Sequence, residues 1–170
     1  VVRRLIATLR RYASLCRRQG ARVRAVATSA VREAKNRDDI VKRVERETGL
    51  ALEVVSGREE ARLICLGVLH GRPKGTRSLC VDIGGGSTEI AVARGEEPEH
   101  LWSIAVGAVR LSQLFGTGGR TTARGVELMR TYVNEAVERS LRTAPATLPR
   151  TALGSSGTIK AVVGFAAAEG

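Results

Sequence analysis

The chain has 170 residues, enough to bury a real core as one domain or two small lobes. It is 43% hydrophobic and 26% charged, which excludes wholesale disorder, and no apolar run is long enough to span a bilayer. With 28 Lys and Arg against 17 Asp and Glu the formal charge is +11, which asks for a polyanionic partner, while 3% aromatic residues are too few for the stacking platforms of single-strand nucleic-acid binders.

Residues 2–16 carry a helical period, with Leu5, Leu9, Tyr12 and Cys16 on one apolar stripe. Arginine pairs at Arg3-Arg4, Arg10-Arg11 and Arg17-Arg18 recur every two turns and stack on the other face. That face reads as solvated or as a docking track for a long anion, and Gly20 ends the helix. The period is already under way at Val1, which is not Met, so the natural N-terminus is expected upstream. Residues 22–27 alternate like a strand. Thr28, Ser29 and Arg32 follow it, placing hydroxyls and a cation beyond a strand end, where ligands collect in open α/β sheets; a plain polar loop is the competing reading. Asn36 is a good N-cap for a helix carrying Ile40, Val41 and Val44 and closed by Gly49, and residues 50–55 form another short strand.

Ser56-Gly57-Arg58-Glu59 matches a capping box, in which Ser56 and Glu59 tie down the first helical turn. Glu60 is then left without a local structural task. Residues 63–69 are apolar nearly all round, so this helix is expected to be buried. An acid in its first turn would be partly desolvated, which raises proton affinity and suits a general base. The competing reading is that Glu60 complements the helix dipole or pairs with Arg58 or Arg62. Gly71, Pro73 and Gly75 make the clearest boundary in the chain. The cysteines Cys16, Cys65 and Cys80 sit in apolar positions without Cys-x-x-Cys spacing, which suits buried thiols in a reducing cytoplasm; His70 and His100 make no zinc pattern.

Residues 79–83 are an apolar run carrying one acid, Asp82, and they stop at Gly84-Gly85-Gly86. Ser87, Thr88 and Glu89 follow, then a second apolar run over 90–93. Short β-rich runs around glycines read as two strands and a tight turn. Consecutive glycines allow positive φ and let backbone N–H groups approach an anion closely. Asp82 and Glu89 would repel a bare phosphate, so a divalent cation between them and the anion is the economical reading. A glycine hairpin with two solvated acids is the bland one. Gly-Lys-Ser/Thr is absent and a strand follows the glycines, so neither the Walker loop nor the dinucleotide fingerprint fits.

A third strand is predicted over 100–106, then a short helical piece from Gly107 with Arg110 as its exposed anion contact, and a loop over 116–119. A long amphipathic helix after Thr122 carries Val126, Met129, Val133, Ala136 and Val137 on one face. Residues 151–153 form a brief strand into the small-residue loop Gly154-Ser155-Ser156-Gly157-Thr158, with a helix from Ile159; this is a second candidate phosphate cradle.

Five segments in this order, at 27–32, 56–62, 81–89, 107–111 and 154–160, resemble the exopolyphosphatase/guanosine pentaphosphate phosphatase (Ppx/GppA) family, and the resemblance covers nearly the whole chain. It implies an α/β fold of the actin-like ATPase (ribonuclease H-like) class, with two lobes around a cleft. Residues 1–75 would be the remainder of a first lobe, incomplete because the family's opening Asp-x-Gly-Thr-type loop has no counterpart here, and residues 76–170 the second lobe. The implied activity is release of terminal phosphate from inorganic polyphosphate or guanosine pentaphosphate, with Mg2+ or another divalent cation. A catalytically silent module binding the same ligands is the alternative. By position, Glu60 matches the acid that activates water and Glu89 its partner acid. Asp82 matches the metal vicinity, and Gly84, Gly85, Gly86, Ser87 and Thr88 the phosphate loop. Ser29 and Arg32 match first-lobe phosphate contacts, and Ser156, Gly157 and Thr158 the last loop. The expected partner is polyphosphate or a guanosine polyphosphate in the cytoplasm, with no membrane and no nucleic acid; pairing into a homodimer is left open.

Overall fold

The computed structural model describes residues 1–116 and 120–169. Residues 117–119 of the loop predicted over 116–119 lie outside the described residues. By its contacts the chain forms two compact units, Val1–Ser56 and Gly57–Gly170.

In the first unit, α1 (Val2–Arg18) packs against α3 (Arg37–Thr48) through Ile6, Ile40 and Val44, flanked by Leu5, Leu9 and Val31. The buried line of α1 runs through Ile6 and Ala13, rotated from the expected stripe, so Tyr12 is 61% exposed. Arg10 reaches across to Glu47, donating from Nε to its carbonyl at 2.9 Å and from a terminal nitrogen to its carboxylate at 2.8 Å. The two strands are shorter than predicted. β1 (Ala25–Ala27) pairs in parallel with β2 (Leu52–Val54), and the three-residue partner limits both. What reads as a loop after β1 is a short helix, α2 (Ser29–Arg32). Asn36 does occupy the N-cap of α3, yet its side chain makes no capping hydrogen bond; Gly49, at φ +72°, ends the helix in the left-handed conformation expected of it.

The second unit is built on a four-stranded sheet in the order β5-β4-β3-β6, where β3 is Arg77–Ile83, β4 Thr88–Arg94, β5 Glu97–Ile104 and β6 Thr151–Ser155. β3, β4 and β5 form the antiparallel meander predicted from the glycine hairpin, and β6 joins β3 in parallel. Side chains alternate across a strand, so the register sorts each face into rows. One row of one face is Leu153, Cys80, Ala91 and Leu101, all apolar. Two residues along each strand, the same face carries Ser155, Asp82, Glu89 and Ser103. The helix α4 (Gly57–Leu69) covers the apolar row, its Cys65 and Leu69 forming one buried cluster with Cys80, Ala91 and Ala93. Only the line of Ala61, Cys65 and Leu69 is fully buried, so the helix is less enclosed than its composition predicts.

The helices α5 (Ala108–Phe115), α6 (Ala123–Ser140) and α7 (Ser156–Glu169) complete the unit. Thr122 caps α6 by accepting the Gly125 N–H at 3.0 Å. The apolar face predicted for α6 is only half covered, and Val126 is exposed. The predicted loop at 154–158 is largely absent. β6 runs to Ser155 and α7 starts at Ser156, which makes the junction alone with a φ of +81°.

The glycine turn differs from expectation in its conformation. None of Gly84, Gly85 or Gly86 has a positive φ. The close approach that demands a glycine is at Gly107, whose backbone lies against this turn: a Cβ there would sit 2.5 Å from the Gly85 carbonyl oxygen and 2.7 Å from the Gly86 carbonyl carbon. Gly107→Ala should therefore push the glycine turn away and cost about 1–3 kcal/mol, the usual range for overpacking. Chemical denaturation with the slope held constant measures this directly, and an unchanged midpoint would show that the two backbones are not in tight contact.

Candidate active site

The acids of the second unit occupy the polar row at the end of the sheet. Asp82 and Glu89 face each other across the hairpin, on adjacent strands and the same side. Like charges placed directly opposite in a sheet repel, with Cβ atoms only about 5 Å apart. Each has a serine on its outer flank. Ser103 Oγ donates to Glu89 Oε1 at 2.9 Å, and Ser155 Oγ donates to Asp82 Oδ2. Glu89 is 3% exposed, and burial raises its proton affinity above the ordinary carboxylate value. The hydroxyls of Ser87 and Ser103 oppose that shift, and the charges of Glu60 and Asp82 add to it. Glu60 lies in the first turn of α4, half-buried and near enough for its charge to be felt at Glu89. The guanidinium of Arg62, one of its expected partners, is taken by Glu59 through two hydrogen bonds of 2.7 Å.

The glycine turn lies immediately after Asp82. The carbonyl of Gly84 accepts the N–H of Ala108, that of Gly85 accepts the N–H of Arg110, each at 3.0 Å, and that of Gly86 accepts Arg110 Nε at 2.7 Å. In a trans peptide the C=O of one residue and the N–H of the next point in opposite directions, and the chain has no cis bond among the described residues. With three successive carbonyls turned toward α5, the N–H groups of Gly85, Gly86 and Ser87 are turned away from it together. Three adjacent donors on one side could hold an anion. Arg110, predicted as an exposed anion contact, is half-buried and holds this loop. The sequence showed a cation in the right segment but not that its acceptor would be a backbone carbonyl.

The remaining predicted residues are placed as follows. The Ser87 side chain is buried beside Glu89, and Thr88 Oγ1 donates to the Val106 carbonyl at 2.7 Å. Ser156 Oγ donates to the Ile83 carbonyl at 2.7 Å, fastening the start of α7 to the end of β3, while Gly157 and Thr158 lie in the first turn of α7. The N–H groups of that turn, rather than the side chains of a loop, are what this segment can offer an anion. Ser29 and Arg32 belong to the first unit. Ser29 is buried and donates to Glu33 at 3.0 Å, and Arg32 donates to the Val55 carbonyl at 3.1 Å. The sequence does not single out Ser103, and it marks Ser155 only as part of the 154–158 loop; the strand register brings both beside the acids.

Among the described residues, no group of three or more His, Cys, Asp or Glu side chains could hold a metal ion. Two carboxylates facing each other beside an anion-binding loop nevertheless fit a magnesium-type cation, which usually takes one or two carboxylates and completes its shell with water and substrate phosphate. Asp82, with an oxygen beyond the one Ser155 engages, could hold such a cation, opposite Glu89.

The chain belongs to the Ppx/GppA phosphatase family, whose description matches residues 1–170. It is 36% identical over 163 residues to exopolyphosphatase 1 of Mycobacterium tuberculosis, a match that covers 94% of this chain and 47% of that protein. The chain thus spans about half the length of the curated relatives it matches. Among solved structures it superposes on an exopolyphosphatase-like protein with a TM-score of 0.88 at 30% identity, covering 98% of this chain and 54% of the other. A Ppx/GppA enzyme of Aquifex aeolicus gives a TM-score of 0.73 at 31% identity, over 96% of this chain and 54% of that one. The fold is that of these Ppx/GppA structures, the family that the sequence resemblance named.

The raised proton affinity of Glu89 gives stability a signed pH dependence. A carboxyl that holds its proton more tightly when folded favours the folded state fully below its unfolded value, near 4.5, and loses that contribution as pH rises through the higher folded value. Ionised Glu89 therefore weakens the fold at neutral pH, and Glu89→Gln removes that weakness. The urea midpoint of the variant should exceed that of the native protein increasingly from pH 4.5 to pH 7. A midpoint difference that stays constant over that range would show that Glu89 is not desolvated.

Proposed function

We propose that the protein is a phosphohydrolase that releases the terminal phosphate of inorganic polyphosphate, or of guanosine pentaphosphate, by metal-assisted attack of water. The observation that carries the reading is the row of facing acids, one of them buried, beside a loop whose three amides point one way. A sheet tolerates opposed carboxylates poorly unless another charge or a proton joins them, and a phosphate cannot approach them unaided. A divalent cation bound there, held by Asp82 with Glu89 opposite, would neutralise charge on the phosphoryl oxygens. The family and the exopolyphosphatase relatives supply the substrate class.

The residues of this chain take the remaining parts. The amides of Gly85, Gly86 and Ser87 bind oxygens of the terminal phosphoryl group and orient it, adding fixed positive dipoles where negative charge is concentrated. The first-turn amides of α7, at Ser156, Gly157 and Thr158, offer a second set. Glu60, on a separate element facing the acids, accepts the proton of the attacking water. Glu89 keeps its carboxyl oriented through the hydroxyls of Ser87 and Ser103 and sets the field in which Glu60 works. Ser29 and Arg32 stand in this reading on the resemblance alone. The buried free thiols Cys65 and Cys80 suit a reducing compartment such as the cytoplasm.

Glu60→Gln keeps shape and hydrogen bonding while removing the base. In the whole protein it should lower the rate of phosphate release from long-chain polyphosphate by roughly two to four orders of magnitude, with substrate affinity little changed. Glu59→Gln, which weakens the pair with Arg62, should retain nearly full rate. Chelation of divalent cations should abolish release, and magnesium should restore it. Near-native turnover in Glu60→Gln would remove Glu60 from the mechanism.

A further inference from the structure

The three glycines have no side chains to orient their peptides, and their φ values supply no left-handed lock. Their direction is fixed from behind. The peptide between Gly84 and Gly85 is held by the Ala108 N–H and the next by the Arg110 N–H, both at the start of α5. The third peptide, between Gly86 and Ser87, is held by a side chain, through Arg110 Nε on the Gly86 carbonyl at 2.7 Å. Arg110 thus engages two consecutive peptides, one with its backbone and one with its guanidinium. The buried, extended Gly107 allows α5 to come close enough for both.

We propose that Arg110 is a positioning residue for the anion-binding loop: its guanidinium fixes the Gly86–Ser87 peptide so that the Ser87 N–H faces the substrate phosphate. The role rests on the phosphohydrolase reading above, but it is distinct from direct contact with substrate. A peptide free to rotate by a half-turn would present a carbonyl oxygen to the anion in place of an amide. The charge-assisted bond from Arg110 opposes that rotation more strongly than a neutral donor would. The guanidinium also places a fixed positive charge behind the carbonyl and so strengthens the dipole whose amide end meets the anion.

The test uses the whole protein, labelled with 15N, with inorganic phosphate as the probe. In the native protein, phosphate should shift the amide resonances of Gly85, Gly86 and Ser87. If it moves none of them, the loop does not bind phosphate and the functional reading itself falls at this point. In Arg110→Met, which keeps the apolar stem but no donor, phosphate affinity should fall about tenfold, the effect of losing one charge-assisted hydrogen bond. The Ser87 shift should be the one lost, while the Gly85 shift, secured by the Ala108 backbone, remains. Arg110→Lys, which keeps the charge and a donor, should recover part of the affinity. KM for polyphosphate should rise more than kcat falls. Where Arg110→Met proves unstable, the lysine variant and the residue-by-residue shifts still decide. A folded Arg110 variant with native affinity and an intact Ser87 shift would overturn the role of Arg110 while leaving the loop's function standing. Uniform loss of all three shifts would overturn it too, because the side chain would then be supporting the whole turn rather than one peptide.

Discussion

The register of one hairpin sets the site. Asp82 pairs with Glu89, and from that pairing follow the serines on either flank and the apolar row two residues away. A slip of one residue would turn every side chain of a strand to the opposite face and put Asp82 where Val81 now lies. The hydrophobic pattern resists such a slip, because Cys80 and Ala91 must face α4 to complete the buried cluster with Cys65 and Leu69. Packing in the middle of the sheet thus fixes acids at its end that electrostatics alone would drive apart. The loss at the polar row is offset by burial at the apolar one.

Acids and hydrogen-bond donors are supplied by different kinds of structure. The two facing acids are strand residues, held by the ladder on both sides. The donors are peptides of a turn, held by hydrogen bonds from α5. A carboxylate needs a stiff support to endure a like charge opposite, and the central strands provide it. An anion-binding peptide needs its carbonyl satisfied elsewhere, because a buried carbonyl without a partner costs free energy and would compete for the turn's orientation. Glycine permits the approach and the helix start gives it direction. Neither is sufficient without the other.

Much of this was legible in the sequence. The β3–β4 hairpin, Asp82, the glycine turn, and Glu60 as an acid without a local structural task all follow from short-range patterns, and the structure places them in one unit. Long-range pairings were not legible. Nothing local to Ser103 distinguishes it from other strand-end serines, nothing local to Ser155 ties it to Asp82, and the register of β4 with β5 and β3 with β6 is what brings them to the acids. In the sequence Arg110 reads as an exposed cation, because an acceptor 24 residues away leaves no local signal. The errors in the first unit were of another kind. Tyr12 fits a helical stripe as well as Ile6 does, and only the position of α3 decides which line is buried. The loop read at 154–158 shrank to one residue because Ser156 takes a positive φ, a conformation that composition rarely signals outside glycine and asparagine.

The small residues at the centre of the α4 interface connect these observations to the chemistry. Across the apolar row the outer residues are Leu153 and Leu101, while the central ones are Cys80 and Ala91. The helix meets them with Cys65, also small, and Ala61 is buried one turn earlier on the same line. Small side chains on both surfaces let a helix lie close to a sheet. Because α4 begins at Gly57, its first turn then reaches the polar row, with Glu60 close enough for its charge to be felt by the buried Glu89. Larger side chains at the centre would bury more area but would lift the helix and weaken that coupling. The core composition therefore does more than fill space: it sets how far the proposed base stands from the acids it works beside.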